Sequence, residues 1–345
     1  NKEGANAIFN KNMLRDSSMT GDRRLAYLVI AFVLGAAFAG AAIYTVYTTE
    51  VSRLSSQVSQ LHALIEELRE KAYGPFPEEK PIAIISAFKG ELEYLVKEIN
   101  VTGSLKILEA KPWKFYYGEY KGKKVVLFYS GVGKTNAAAA TELCIAKFRP
   151  KAIIFSGIAG GVPEFADVGD ITISSAVLHH DYGLVIPIGG VPGVEYPATA
   201  DLERGFVPNP VPLPQGTRIH MLNATPWLIS LALNASRMVD FGVVPGTNRA
   251  PAVRVGVIVT GDQFIASTQK CEWLYSAFNA LATEMEGAAV AQVAYINDVP
   301  WVVIRCHSDR ADEVAQEIIA AFWQYAAENS AKIVLKILEM WPQDR

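Results

Sequence analysis

The sequence lacks several features that mark common functional classes. Its 345 residues carry 32 Lys and Arg against 35 Asp and Glu, a formal net charge of −3, so composition gives no electrostatic basis for nucleic-acid binding. Basic stripes with interleaved aromatic residues are also missing. The three cysteines, Cys144, Cys271 and Cys306, lie far apart without CxxC spacing, which argues against a disulfide framework or a zinc site. We therefore expect no nucleic-acid partner, no metal and no cofactor.

The longest uncharged segment is residues 25–47, LAYLVIAFVLGAAFAGAAIYTVY. As a helix it would extend about 35 Å, enough to cross a bilayer with some tilt. A signal peptide is the alternative, although its apolar region is normally only about 7 to 15 residues long. The segment thus predicts a single-pass transmembrane helix, with the lipid bilayer as a partner.

Basic residues are concentrated before this segment, whereas the residues after it carry mixed charges. The basic residues are Lys2, Lys11, Arg15, Arg23 and Arg24. By the positive-inside rule, residues 1–24 should be cytoplasmic and the large C-terminal domain extracytoplasmic.

Residues 48–72 carry a heptad pattern of apolar residues with branched side chains at a and leucine at d, which favours two parallel helices. The pattern comprises Val51, Leu54, Val58, Leu61, Ile65 and Leu68. It predicts a short coiled-coil stalk and hence a homodimer or a larger membrane assembly, with a monomeric amphipathic helix as the alternative. Residues 73–80 contain prolines that should end the helix in a linker.

Apolar runs alternate with helical patterns throughout residues 81–345. The predicted strands are Ile82–Ser86, Val125–Ser130, Ala152–Ser156, Ile171–Ser175, Val253–Thr260 and Trp301–Cys306, and the predicted helices include Thr135–Lys147, Glu286–Ile296 and Ala311–Leu338. Continuous hydrophobicity in these strands indicates burial on both faces, which is typical of a parallel or mixed sheet covered by helices. Residues 187–216 hold seven prolines and are predicted to form an irregular insertion.

Polar and glycine residues follow the apolar runs, at the strand ends where ligands of α/β proteins bind. Each cluster alone is typical of a tight turn or a helix cap. The glycine-rich turn Ser130-Gly-Val-Gly-Lys-Thr135 is not a phosphate loop, because the first glycine of that motif would fall at Phe128.

Taken together, the order of these clusters is informative. They are Ile82-Ala-Ile-Ile-Ser-Ala-Phe88 with Glu91, Ser130-Gly-Val-Gly-Lys134, Ser156-Gly-Ile-Ala-Gly-Gly161 with Val168-Gly-Asp170, Thr260-Gly-Asp-Gln-Phe264, Glu284-Met-Glu286 and Ser308-Asp309. This ordered set resembles the methylthioadenosine/S-adenosylhomocysteine nucleosidases of the nucleoside phosphorylase superfamily. The resemblance implies a dimeric three-layer α/β/α domain with a central mixed sheet.

The resemblance also implies roles for single residues. Asp309 would be the general acid that protonates the purine at N7, and Glu91 would position or deprotonate the attacking water. Glu286 would hold the ribose hydroxyls, with Met285 packed beneath the sugar. Breaking a glycosidic bond requires such groups, because the leaving base needs a proton and the sugar develops positive charge.

The remaining implied contacts concern the base and its surroundings. Phe264 would stack on the purine, and the backbone of Ile265 would pair with its edge. The further substrate-binding residues are Ser308, Ala159 and Gly160.

Hydrolysis is favoured over phosphorolysis by the first loop, which offers Lys89 and Glu91. Phosphorolytic relatives need cations at the phosphate site, commonly arginine, and an acidic Glu91 would repel phosphate. The sequence therefore predicts a membrane-anchored purine nucleosidase acting on an adenine nucleoside such as methylthioadenosine or S-adenosylhomocysteine. Two alternatives stay open: a non-catalytic structural or sensing subunit of a membrane assembly, and a purine nucleoside phosphorylase.

Overall fold

The computed structural model describes residues 21–73, 79–100 and 103–343, in two compact units, residues 1–72 and 73–345. The first twenty residues of the predicted cytoplasmic segment lie outside the described residues, and so do residues 74–78 of the predicted linker.

The first unit is dominated by one helix, α1 (Gly21–Tyr73), of 53 residues. It runs without interruption through both predicted segments, 25–47 and 48–72. Its heptad side chains Val51, Leu54, Val58, Leu61, Ile65 and Leu68 are all exposed in the single chain. Their spacing is that of a coiled-coil seam, and the coiled coil and the dimer stay predictions.

Within the three described ranges of the chain, no helix combines the length and the apolar composition that crossing a membrane requires. Such a crossing needs about 20 predominantly apolar residues in one helix. The prediction of a transmembrane helix at residues 25–47, with the bilayer as partner, is therefore not supported. The predicted orientation depended on that helix and stays untested.

The second unit contains a ten-stranded mixed sheet and two small two-stranded sheets. In chain order the strands are β1 (Ile82–Ser86), β2 (Lys106–Ala110), β3 (Trp113–Tyr120), β4 (Lys123–Tyr129), β5 (Ala152–Gly161), β6 (Ile171–His179), β7 (Gly183–Val185), β8 (Phe206–Pro208), β9 (Val211–Pro212), β10 (Arg218–Ile219), β11 (Leu222–Asn223), β12 (Val253–Thr260), β13 (Ala280–Glu284) and β14 (Trp301–Asp309). The helices of this unit are α2 (Lys89–Ile99), α3 (Lys134–Phe148), α4 (Pro226–Ser236), α5 (Thr268–Phe278), α6 (Gly287–Ile296) and α7 (Ala315–Glu339).

The large sheet combines an open half with a closed ring. Its strand order is β11-β6-β12-β13-β5-β1-β4-β3-β2, and β14 pairs with both β5 and β6. Strands β5, β14, β6, β12 and β13 therefore form a five-stranded ring. Pairing of β1 with β4 and β5 is parallel, whereas β3 pairs antiparallel with β4. The predicted mixed sheet is confirmed.

Alternate residues of the central strands face two separate cores, as the period of two in a strand requires. In β1, Ile82 and Ile84 pack in a core with residues of α2, α4 and α7. Ala83 and Ile85 pack in the other core, with residues of α3 and α6. Helices thus cover both faces of the sheet, which confirms the three-layer α/β/α architecture.

The segment 187–216 consists mostly of turns and loops and contains two short strands, β8 and β9. Residues 206–208 pair antiparallel with 183–185, and residues 211–212 pair with 218–219. Strands of two or three residues carry too little alternation to be recognised in a sequence. The insertion therefore has two short β-pairings within otherwise irregular backbone.

We predict that Ile154→Ala destabilises the second unit strongly. Ile154 is fully buried in β5 and pairs with both β1 and β14, so its truncation should lower the free energy of unfolding by about 2 to 5 kcal/mol. Urea unfolding at 25 °C measures the change. The matched control is Ile107→Ala in the edge strand β2, where Ile107 is 56% exposed. Equal losses in the two variants would contradict the assignment of β5 to the core.

Candidate active site

Glu91 is a buried carboxylate in the first turn of α2. Its Oε2 accepts hydrogen bonds from the backbone N–H groups of Ala87 at 2.6 Å and Phe88 at 3.4 Å. Its Oε1 accepts one from Ile158 N of β5 at 2.8 Å. Burial raises the pKa of Glu91 above its ordinary value, while the charge of Arg305 and these three donors oppose the rise. The contacts hold the carboxylate rigidly at the end of β1.

Arg305 is a fully buried guanidinium in the middle of β14. It donates through Nη2 to Glu284, and the same atom lies 3.5 Å from Glu286 Oε2. Its Nη1 lies 4.0 Å from Glu91 Oε1. The guanidinium carbon also lies 4.0 Å from the ring centre of Phe155, a cation-π contact. One cation thus faces three carboxylates.

This arrangement has more negative than positive charge if all three carboxylates are ionised. Burial, and next the charge of Glu284, raise the pKa of Glu286 to about 8. Of the two carboxylates, Glu284 has the more extensive backbone hydrogen bonding, because the N–H of Gly287 donates to both of its oxygens at 2.9 and 2.8 Å. Glu286 accepts from Gly133 N at 2.8 Å. Near neutral pH the excess charge is therefore relieved by a proton on Glu286.

The glycine-rich turn before α3 supports this cluster. Gly133 adopts a φ of +94°, a conformation that glycine reaches without strain, and its N–H donates to Glu286. Gly157 of β5 is also close to the cluster: a Cβ there would lie 2.1 Å from Arg305 Nη1 and 2.3 Å from Glu91 Oε1. Both glycines therefore allow backbone to approach the buried charges.

Asp309 ends β14 and is buried. Its Oδ2 accepts from Ser308 Oγ and its Oδ1 from Ala311 N, both at 2.8 Å. Burial raises its pKa above the ordinary value of an aspartate. Ser308 Oγ is also 3.4 Å from the carbonyl oxygen of Ala159, and a Cβ on Gly160 would lie 2.9 Å from Asp309 Oδ1. The predicted residues Ser308, Ala159 and Gly160 thus surround Asp309.

Strand β5 connects the two carboxylates. Ile158 N binds Glu91, and Gly160 pairs in register with Asp309. These positions are two residues apart, roughly 7 Å along a strand. The two acids therefore flank one short stretch of backbone.

The other predicted residues lie in two neighbouring segments. Met285 is half-buried between Glu284 and Glu286. Phe264 is 44% exposed, whereas Ile265 is buried, and both belong to the loop between β12 and α5. Ser267 N donates to the carbonyl of Ala311 at 2.7 Å, so this loop lies beside the turn after Asp309.

Sequence reasoning missed Arg305 and gave no role to Glu284. A charged residue in the otherwise apolar run Trp301-Val-Val-Ile-Arg305 was the available signal, because a buried arginine requires acidic partners. The predicted helix Glu286–Ile296 corresponds to α6, which begins one residue later at Gly287, and β13 extends to Glu284 before it.

We predict that Glu286→Gln changes the pH dependence of stability. Since the pKa of Glu286 is raised from 4.5 to about 8 on folding, the native protein binds more protons than the unfolded chain between these values. The free energy of unfolding should therefore fall as pH rises through that range. Urea unfolding at a series of pH values should show a shallower fall in Glu286→Gln.

The matched control is Glu195→Gln, because Glu195 is an exposed residue of the insertion. This variant should keep the slope of the unmodified chain. Parallel slopes for Glu286→Gln and the unmodified chain would contradict a proton on Glu286.

Comparison with known proteins places this site in a family. The sequence model described as "Phosphorylase superfamily" matches residues 81–339. The 5′-methylthioadenosine/S-adenosylhomocysteine nucleosidase of Bacillus licheniformis is 35% identical over 260 residues, covering 75% of this chain and 98% of that protein. The corresponding nucleosidase of Staphylococcus aureus is 34% identical over 255 residues, covering 73% and 96%.

Solved structures of nucleoside hydrolases are also similar to this chain. The nucleosidase of Neisseria meningitidis in complex with methylthio-immucillin-A has a TM-score of 0.60 and 32% identity, covering 76% of this chain and 100% of that one. The futalosine hydrolase of Helicobacter pylori has a TM-score of 0.60 and 26% identity, covering 76% and 98%. The resemblance predicted from the motifs is confirmed: the chain belongs to the phosphorylase superfamily, among the 5′-methylthioadenosine/S-adenosylhomocysteine nucleosidases.

Proposed function

We propose that the chain hydrolyses the N-glycosidic bond of an adenine nucleoside, with 5′-methylthioadenosine and S-adenosylhomocysteine as the first candidates. The observation that carries this proposal is the placement of Glu91 and Asp309 against residues of β5 that are two positions apart. The names of the nucleosidase relatives support the substrate class.

Asp309 acts as the general acid. Because burial raises its pKa, it retains a proton at a pH where an exposed aspartate would be ionised. It donates this proton to N7 of the base as the bond between N9 and C1′ breaks. Protonation makes the purine a better leaving group, and such a contribution is worth about 10² to 10⁴ in rate.

Glu91 acts on the water. Burial raises the pKa of Glu91, but its carboxylate accepts three backbone N–H bonds and lies near Arg305, and these groups oppose the rise. It takes a proton from the water that attacks C1′. Glu286 holds the ribose hydroxyls, for which a carboxyl or carboxylate oxygen is a suitable hydrogen-bond partner.

Hydrolysis fits the charges around Glu91 better than phosphorolysis does. Lys89 Nζ lies 3.1 Å from Glu93 and its side chain is 74% exposed. Arg305 is engaged by Glu284. The two cations near Glu91 are thus already paired with acids, and a phosphate would meet the carboxylate itself.

The same assay distinguishes three further possibilities. The likeness to the futalosine hydrolase of Helicobacter pylori makes futalosine a second candidate substrate. Purine nucleoside phosphorylase activity would require phosphate, and a non-catalytic sensing subunit would bind a nucleoside without cleaving it.

We predict that Asp309→Asn loses base release by a factor of about 10² to 10⁴, because the amide cannot supply the proton. Release of the purine base from methylthioadenosine, S-adenosylhomocysteine, adenosine and futalosine, with and without phosphate, measures the effect. Release should be independent of phosphate in the unmodified chain.

The control is Asp240→Asn, which removes an exposed carboxylate in the loop after α4 and should retain most of the activity. Full activity of Asp309→Asn would refute its role as the acid. If the unmodified chain cleaved no nucleoside, the catalytic proposal itself would be wrong.

A further inference from the structure

Asp201 links the insertion to helix α5 of the domain. It is 3% exposed and pairs through its backbone with Phe206, at 2.7 and 2.9 Å. Arg204 Nη1 lies 3.1 Å from each oxygen of its carboxylate, and Lys270 Nζ of α5 lies 3.5 Å from Oδ2. Trp273 of α5 adds a hydrogen bond from Nε1 to the carbonyl of Thr199 at 3.2 Å. The insertion is thus held against α5 by ionic and polar contacts.

An open cavity of about 680 Å³ lies beside these contacts and is hereafter called the insertion cavity. Its walls include Arg204 and Phe206 of the insertion, His180 after β6, and Phe264 and Lys270 from the segment after β12. Its volume lies within the range of about 300 to 1,000 Å³ that is usual for small-molecule sites. The cavity is large enough for a ligand of metabolite size.

Two side chains of this wall have unused hydrogen-bonding atoms. Among the residues that the structure describes, neither ring nitrogen of His180 has a hydrogen-bond partner, and neither does Nη2 of Arg204. His180 is fully buried, and burial lowers its pKa to about 4, so one ring nitrogen donates and the other accepts near neutral pH. Buried polar groups without partners are costly and are normally satisfied by a ligand or by water.

Two cations line the cavity, Arg204 and Lys270, and both contact the buried carboxylate of Asp201 behind the wall. The acid that lines the cavity, Asp181, is paired: Lys134 Nζ lies 2.6 Å from it, and Asp262 N donates to it at 2.8 Å. An arginine with a free Nη group is well suited to an oxyanion.

We propose that the insertion cavity binds a compact oxyanion, a carboxylate or a phosphate group, held by Arg204 and Lys270 with a further hydrogen bond from His180. Aromatic side chains Phe206 and Phe264 provide an apolar wall for the remainder of the ligand. Phe264 is also the expected purine-stacking residue, whereas Glu91, Glu286 and Asp309 do not line this cavity. Ion binding therefore tests this proposal, and base release tests the proposed reaction separately.

Calorimetric titration of the full chain at pH 7 with inorganic phosphate, and separately with succinate, tests this site. We expect saturable binding of one ion per chain, and the ion that binds identifies the source of the oxyanion. Arg204→Met should weaken binding at least about tenfold, since it removes a charge-assisted hydrogen bond. The control is Arg218→Met, because Arg218 is an exposed arginine of β10, and it should bind like the unmodified chain.

Because Arg204 also holds Asp201, a second variant separates binding from folding of the insertion. Arg204→Lys keeps a cation near Asp201 but lacks the second Nη group, so we expect unchanged thermal unfolding with weakened binding. The ring nitrogen NMR signals of His180 should also shift when the ion binds. Three results would overturn the proposal. These are binding of neither ion, equal binding by Arg204→Met and the unmodified chain, and His180 signals that do not shift at saturation. Adenine release in the same samples reports separately on the proposed function.

Discussion

The buried guanidinium of Arg305 is the interaction on which the rest of the site depends. It joins Glu91 of α2 to Glu284 and Glu286 at the junction of β13 and α6. Removing one partner of such a buried ion pair typically costs about 3 to 5 kcal/mol, because the remaining charges are left uncompensated. Its position in β14 is fixed by pairing with β5 and β6, so the closed ring of strands determines where the charge lies.

Because of this arrangement, the acids of the site differ in protonation state. Four acids lie in or beside the site, and their surroundings differ in kind. Burial raises the pKa of both Glu91 and Glu286. At Glu91 the charge of Arg305 and three backbone donors oppose the rise, whereas at Glu286 the charge of Glu284 adds to it and the pKa reaches about 8. Asp309 lies outside the reach of these ion pairs and has its pKa raised by burial. Separation of pKa values by environment is how one site provides both an acid and a base.

Much of the domain could be predicted from its sequence, because the central strands are continuous apolar runs and the polar and glycine clusters follow them in a recognisable order. The ion pairs of Arg305 could not be predicted, because its three partners come from two distant parts of the chain. The two short strands of the insertion could not be predicted either, since they are too short to show periodicity. For residues 25–47, apolar composition alone suggested a membrane span that the structure does not support.

The most direct test of this account is the pH dependence of kcat/KM for methylthioadenosine hydrolysis by the unmodified chain and by Arg305→Gln, with the fold of the variant verified by circular dichroism. Burial raises the pKa of Glu91, and the charge of Arg305 is the largest influence that opposes this rise. Its removal should therefore move the acidic limb of the profile to higher pH. An acidic limb at the same pH in a folded variant would contradict the claim that Arg305 keeps Glu91 ionised.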